Sequence, residues 1–366
     1  MLTRFLCLAL AVITLSGCAG LHVRPGPDYA DERTTPPNTL RVAFDQSGAI
    51  YPRDGSVVPW DTVQMRRLNE VTGRNAFLLE KIHVGPDTSN TPYTPAMRAA
   101  LLQDATRRLN SMLQPGGKLL VLVHGFNENY DDARKNFDIF RNAVGEPLPP
   151  TLEVFWDGLI IPDQTFGQAA RLWFWPNAVL YSNLAGQHGL RHLLNGIAVP
   201  TDVRVLTFSR GAAVALSAVA DPIYDAEWGP APSFSNPQIR SIKLGMVAAA
   251  VGSGHLRDEA NEQLSRRVEL VVGFNCKDFA LRKLVAAGKY GDTRLGTNSQ
   301  YAKEVVQRRW PNLPIKVVPF RHGYEHNLAH YAYANTRDGP LTNAMSCLLG
   351  LMDLGAGTCA GVDLME

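Results

Sequence analysis

The feature that most constrains this chain is an apolar run that ends on a serine. The run is Val203-Arg-Val-Leu-Thr-Phe-Ser209, and Gly211 and the small residues 212–220 follow it. β-Branched residues favour a strand and alanines favour a helix. The pattern therefore predicts a strand, a sharp turn at Ser209 and a closely packed helix. Because Ser-x-Gly also occurs in ordinary turns and helix N-caps, its interpretation depends on its surroundings.

Other apolar runs predict that this strand belongs to a larger sheet. The continuous run 117–123 is bounded by glycine and by His124-Gly125, which is typical of a strand buried on both faces. Strands that alternate with helices favour an α/β fold, with helices on both faces of a mostly parallel sheet. The remaining predicted strands are 40–44, 152–156, 241–250, 267–274 and 315–320, and the predicted helices include 95–112 and 133–144.

The N-terminus predicts export. Arg4 precedes an apolar run, 5–15, which is shorter than the about 20 residues that span a bilayer and is typical of a signal peptide. The ending Leu15-Ser-Gly-Cys18 resembles the lipobox of bacterial lipoproteins. That resemblance implies cleavage before Cys18, lipid attachment to it and, with Ala19 next, an outer-membrane location facing the periplasm. Secretory cleavage that leaves Cys18 free is the alternative.

The mature chain divides into a tether and one domain. Residues 1–17 are the predicted signal peptide, and 18–38, rich in Pro, Gly and charge, are a predicted flexible tether. Residues 39–366 are long enough for one α/β domain with a substantial core. The formal net charge of +2, with 19% charged residues and no long basic run, argues against a nucleic-acid partner.

Three cysteines remain after the signal peptide and Cys18. These cysteines have two interpretations. In an oxidising compartment Cys347 and Cys359 form a disulfide that closes a short loop. Alternatively, Cys276, Cys347 and Cys359 are all simply buried. No metal-ligand spacing involves them. We expect neither a metal nor an organic cofactor.

A strand that ends in His-Gly upstream of one that ends in Ser-x-Gly resembles the α/β-hydrolase superfamily, over residues 40–339. The motif Leu122-Val-His-Gly-Phe-Asn127, together with Asn275-Cys-Lys-Asp278, resembles motifs of bacterial esterase-like hydrolases. The motif Phe208-Ser-Arg-Gly-Ala212 resembles that of bacterial phospholipase-type hydrolases, although Thr207 stands where their motif has glycine. The resemblance implies a cap-like insertion at about 158–200. The alternative interpretation is that the aromatic residues of this segment only bury a peripheral helix.

The resemblance implies a nucleophile, an acid and a histidine in that chain order. Ser209 is the nucleophile, and Asp278 is the expected acid because it follows the strand 267–274. Its alternative role is the N-cap of a helix at 279–285. Asp258 and Asp292 are weaker candidates, since neither is clearly tied to a strand end.

Three histidines follow the last predicted strand. His330 is the favoured base because it begins what looks like the final helix, and His326 and then His322 are the alternatives. The backbone amides of Phe126 and Arg210 are the expected oxyanion donors. His124 is expected to be a structural hydrogen-bonding residue.

These features predict a lipid-anchored serine hydrolase that cleaves a small-molecule or lipid carboxylic ester through a Ser-His-Asp triad and an acyl-enzyme. Two alternatives stay open: a non-catalytic envelope lipoprotein that acts as a binding or assembly module, and a phospholipase. The sequence selects neither the acyl chain length nor an oligomeric state.

Overall fold

A computed structural model describes residues 29–53, 95–158, 175, 177–220, 232–252, 267–284, 293–298, 303–304, 308, 311–320, 323–332, 343–355 and 359. The predicted signal peptide, Cys18, His322, Asp258 and Asp292 lie outside these described residues. Within the same ranges, no helix is both long enough and apolar enough to cross a membrane.

Seven parallel strands form one sheet in the order β1-β3-β2-β4-β5-β6-β7. The predicted α/β class with a parallel sheet is therefore confirmed. The predicted end of β5 at 250 is too late, because Ala248 has a φ of +52° and leaves the extended conformation. The strands are β1 (Thr39–Phe44), β2 (Lys118–Val123), β3 (Thr151–Trp156), β4 (Thr201–Phe208), β5 (Ile239–Val247), β6 (Val268–Phe274) and β7 (Ile315–Pro319).

Helices cover both faces of the sheet. The helices are α1 (Pro95–Met112), α2 (Tyr130–Val144), α3 (177–195, including a π-helical stretch at Ala185–Leu190), α4 (Gly211–Val219), α5 (Phe279–Leu284), α6 (Leu328–Ala332) and α7 (Ala344–Leu351). Side chains of β2 alternate between the two layers: Val121 packs in the layer of α1, α3 and α4, and Leu122 packs in that of α2, α6 and α7. Each strand therefore contributes to two cores.

Helix α2 begins one turn before the predicted residue 133. The side chain of Asn129 accepts a hydrogen bond from the amide of Asp132 and caps the helix. This early start fixes the loop between β2 and α2, which carries the His-Gly motif.

The described part of the predicted insertion is a core helix. Gly186 of α3 lies so close to Val214 and Ser217 of α4 that a Cβ there would overlap them. Trp175, just before α3, is fully buried. Residues 159–174 lie outside the described part of the chain. The described residues of this segment therefore pack against α4, the helix that follows Ser209.

Residues 29–38, which the sequence assigns to the tether, contact the domain. The Tyr29 hydroxyl donates to the Tyr51 carbonyl at 3.2 Å, and the Tyr130 hydroxyl donates to the Tyr29 carbonyl at 2.8 Å. Tyr29 is buried by these contacts. Ten residues, 19–28, then separate this contact from Cys18.

Cys347 at α7 and Cys359 are joined by a disulfide. Of the two alternatives for this pair, the structure has the bonded one. Cys276, in the loop after β6, is a free and exposed cysteine.

Arg191 of α3 holds the C-terminal end of α4. Its buried guanidinium donates to the carbonyls of Ser217 at 2.7 Å, Ala218 at 3.1 Å and Ala220 at 2.9 Å. These carbonyls have no partner within the helix, and a cation there also opposes the helix dipole. One side chain thus fixes the helix that follows Ser209.

Replacing Arg191 with Met should lower the free energy of unfolding by about 2–4 kcal/mol, because several buried carbonyls lose their donors. Urea unfolding monitored by circular dichroism measures the loss. The control is Arg240→Met, which breaks an exposed ion pair with Asp202 and an exposed hydrogen bond to the Gly116 carbonyl, and it should cost less than about 1 kcal/mol. Equal losses in the two variants would contradict the capping role.

Candidate active site

Ser209 lies in a sharp turn at the carboxyl end of β4. Its φ of +52° is in the left-handed region, which a residue with a Cβ rarely adopts. Its amide donates to the Val247 carbonyl at 2.9 Å, and its carbonyl accepts from the Ala250 amide at 3.0 Å. The predicted strand, turn and helix are therefore present, and the chain leaving β5 holds the turn.

Two glycines let the loop after β2 approach this turn. A Cβ on Gly211 would overlap the His124 carbonyl, and a Cβ on Gly125 would lie 3.1 Å from the Cβ of Ser209. Thr207, which stands in place of a motif glycine, is a buried strand residue opposite Val123 and Met246. The departure from the motif thus falls inside β4, before the turn.

His326 lies between Ser209 and Asp278. Its Nε2 is 2.7 Å from Ser209 Oγ, and its Nδ1 is 2.6 Å from Asp278 Oδ2. A carboxylate beside Nδ1 keeps the proton on that nitrogen, so Nε2 faces the hydroxyl as an acceptor. Only 18% of the His326 side chain is exposed, and the ring of Phe208 stacks on it with centroids 4.9 Å apart.

The prediction that favoured His330 is corrected. His330 lies in α6, its side chain is 49% exposed, and its Nδ1 is 2.7 Å from Glu325 Oε2. His326, the first alternative, is the histidine in contact with Ser209 and Asp278. His322 lies outside the described residues.

Hydrogen bonds between two loops position His326. The Asn275 side chain donates to the Gly323 carbonyl at 3.1 Å, and the Phe279 amide donates to the Tyr324 carbonyl at 3.0 Å. The loop after β6, which carries the acid, therefore holds the loop after β7, which carries the histidine. The spacing of residues along the sequence does not predict these long-range hydrogen bonds.

Asp278 has both of the roles that the sequence offered as alternatives. Its Oδ1 accepts from the Leu281 amide at 3.0 Å, as an N-cap does, while its Oδ2 faces His326. Burial alone would raise the pKa of the Asp278 carboxyl, but the hydrogen bond from His326 and the other donors outweigh it and hold that pKa below its ordinary value. Asp278 is thus ionised at neutral pH.

Tyr331 is a site residue that the sequence analysis missed. Its hydroxyl donates to Asp278 Oδ2 at 2.5 Å. Burial, and then the negative charge of Asp278, raise the pKa of Tyr331, so the phenol keeps its proton and remains a donor. The only sequence signal is its place beside His330, in the segment that follows the last strand.

The two expected oxyanion donors come from the loop after β2 and from the turn itself. The Asn127 amide donates to the Gly158 carbonyl at 3.2 Å, whereas the Phe126 amide donates to no backbone carbonyl in the described part of the chain. Arg210 follows Ser209 directly, and its buried guanidinium donates to Ser182 Oγ and to the Ala250 carbonyl, each at 2.9 Å. The Arg210 side chain therefore stabilises the turn, and the Arg210 backbone amide is the expected oxyanion donor.

His124 has the structural place that was expected. It is fully buried, its Nε2 accepts from the Trp156 amide at 3.0 Å, and its Nδ1 donates to the Gly125 carbonyl at 2.9 Å. Burial lowers the pKa of His124 to about 4. A neutral imidazole therefore ties β2 to β3 at the edge of the site.

No protein-family model matches the chain, and no curated protein matches its sequence significantly. A functional proposal therefore depends on the contacts of Ser209, His326 and Asp278.

Replacing Tyr331 with Phe should lower the free energy of unfolding at pH 7 by about 1.5–3 kcal/mol, because a hydrogen bond to a charged group is lost. The folded pKa of Asp278 is below the ordinary 3.8, so the stability that its donors supply is present above pH 3.8 and is lost as pH falls through the folded value. The difference between wild type and variant should therefore shrink in acid, as urea unfolding at several pH values would measure.

The matched control for this prediction is Tyr324→Phe, because Tyr324 is 63% exposed. It should change stability by less than about 0.5 kcal/mol at every pH. A Tyr331→Phe effect that stays constant down to strongly acid pH would contradict the assigned partner.

Proposed function

We propose that this protein is a serine hydrolase of the α/β-hydrolase type that cleaves a carboxylic ester. The observation that carries the proposal is the continuous set of contacts from Ser209 Oγ through His326 to Asp278, at 2.7 and 2.6 Å. Serine alone is a weak nucleophile at neutral pH, and an imidazole oriented by a carboxylate is the group that activates it.

The order of the elements supports the proposed fold type. The nucleophile follows β4 at the centre of the sheet, the acid follows β6, and the histidine follows β7. This is the chain order of Ser, Asp and His in α/β-hydrolases, with the serine on a strand-to-helix turn. All three groups meet at the carboxyl edge of the parallel strands, where ligands bind in open α/β sheets.

The proposed reaction proceeds through an acyl-enzyme. His326 Nε2 takes the proton of Ser209 Oγ as the oxygen attacks the ester carbonyl, and the ionised Asp278 stabilises the imidazolium that forms. The amides of Phe126 and Arg210 donate to the tetrahedral oxyanion. The imidazolium then protonates the leaving alcohol, and a water activated by the same histidine hydrolyses the acyl-enzyme to give the acid.

The N-terminal motif supports a lipid-anchored form of this hydrolase. In the proposal, signal cleavage leaves Cys18 as the first residue, and acyl chains on it hold the protein at the outer membrane, facing the periplasm. Several chains together give a stable anchor where one does not. Residues 19–28 then connect the anchor to the contact of Tyr29 with the domain.

Purified protein should react with a fluorophosphonate probe, and Ser209→Ala should abolish the reaction, because the probe bonds to an activated serine. His326→Ala should lower kcat/KM for a p-nitrophenyl ester by about 10⁴-fold. His330→Ala is the matched control and should stay within a few-fold of wild type. Folded wild-type protein that neither reacts with the probe nor hydrolyses the ester would contradict the proposal and favour the non-catalytic binding module.

Cells that express the protein with labelled palmitate should incorporate the label, and Cys18→Ala should lose it and release the protein from the membrane fraction. Hydrolysis of a soluble ester should survive the change, because Cys18 precedes the domain. Cys276→Ser, which removes the exposed free cysteine, is the control and should keep the label. Label retained in Cys18→Ala would refute the anchor.

A further inference from the structure

Glu128 lies at the site, but the proposed reaction does not use it. It is in the loop between β2 and α2, and only 8% of the residue is exposed. A Cβ on Gly125 would lie 2.9 Å from Glu128 Oε1 and 3.1 Å from the Cβ of Ser209. The carboxyl and the nucleophile therefore flank the same glycine, next to the amide of Phe126.

One oxygen of the Glu128 carboxyl lacks the partner that a buried carboxylate needs. Its Oε2 is buried without a hydrogen-bond partner among the described residues. The nearest cation candidate is His124, whose Nδ1 is 3.7 Å away, too far for a hydrogen bond. That nitrogen already donates to the Gly125 carbonyl, and the ring is neutral.

The charged and polar groups around Glu128 do not compensate for its burial. Asp132 of α2 is a like charge, whereas His326, the Asn136 side chain and the Gly125 amide favour the ionised form. Burial is the largest effect, and it raises the pKa of Glu128 to about 7. The carboxyl consequently keeps its proton in mildly acidic solution and loses it in the alkaline range.

We propose that Glu128 is a further functional residue of this site, and that its neutral carboxyl is the form that supports hydrolysis. The proposal rests on the serine hydrolase function proposed above. In that reaction negative charge develops on the oxyanion beside the Gly125 loop. An ionised Glu128 repels this charge, whereas a neutral one does not. Glu128 acts through its charge and through the loop, so it is a positioning residue and not a catalytic one.

The test is the pH dependence of kcat/KM for a soluble p-nitrophenyl ester in wild type and in Glu128→Gln, from pH 5 to 9.5. Glutamine has nearly the same shape and cannot ionise. Wild type should give a bell-shaped profile whose alkaline limb falls above about pH 7. Glu128→Gln should keep the acid limb, lose the alkaline one and exceed wild type about 10- to 100-fold at pH 9.

The control variant is Glu146→Gln, because Glu146 is an exposed residue just after α2. Its profile should match that of wild type. A Glu128→Gln profile that matches wild type would overturn the proposal, and so would a folded Glu128→Gln protein with lower activity at every pH, since the carboxylate would then be the required form.

A second measurement does not depend on turnover. The ordinary pKa of Glu128 is 4.5 and the folded value is about 7, so folding takes up a proton between these values. The stabilisation by that proton is complete below pH 4.5 and is lost as pH rises through 7. The melting temperature of wild type should therefore fall relative to Glu128→Gln across this range. If the melting temperatures of wild type and Glu128→Gln change in the same way with pH, the proposal that the carboxyl is neutral is overturned.

The two proposals fail in distinguishable ways. If wild type neither reacts with the fluorophosphonate nor turns over the ester, the hydrolase proposal fails, and the role of Glu128 in hydrolysis fails with it. If wild type reacts with the probe and has no alkaline limb that Glu128→Gln removes, only the role of Glu128 fails.

Discussion

The turn at Ser209 is the constraint on which the rest of the site depends. A non-glycine residue in the left-handed region costs about 1–3 kcal/mol, so neighbouring structure has to hold it. Here β5 ends in the same way, at Ala248 with a φ of +52°. The Val247 carbonyl before it accepts from the Ser209 amide, and the Ala250 amide after it donates to the Ser209 carbonyl. Arg210 adds its guanidinium to the Ala250 carbonyl. Two adjacent strands thus leave the sheet together, and each turn stabilises the other.

The contacts between Ser209, His326 and Asp278 depend on a second pair of strand ends, those of β6 and β7. Asp278 caps α5 with one oxygen, which fixes the direction of the other toward His326. The loop that carries His326 is tied by Asn275 to the loop that carries the acid. The distances between the three groups are therefore set mainly by backbone positions at the edge of a rigid sheet. A site built on such elements is held more accurately than one built on free loops.

The sequence predicts what is local and leaves open what is not. Buried strands are continuous apolar runs, so all seven were predicted, and the serine was found because its turn needs small neighbours. His326 and His330 differ by one helical turn, and only contacts with residues 48 or more positions away decide between them. Glu128 and Tyr331 were missed because no spacing shows that a polar side chain is buried. The dual role of Asp278 was missed because the two interpretations were treated as exclusive.

The number of donors around each buried acid determines its charge. Asp278 accepts hydrogen bonds from His326, Tyr331 and the Leu281 amide, and these hold it ionised although it is fully buried. Glu128 is similarly buried but has an oxygen without a partner, so burial dominates and the proton is retained up to about pH 7. The same physical effects thus give two carboxyl groups within one site that ionise in different pH ranges. In the proposed hydrolase the charge is kept on the side where the imidazolium forms and is kept away from the side where the oxyanion forms.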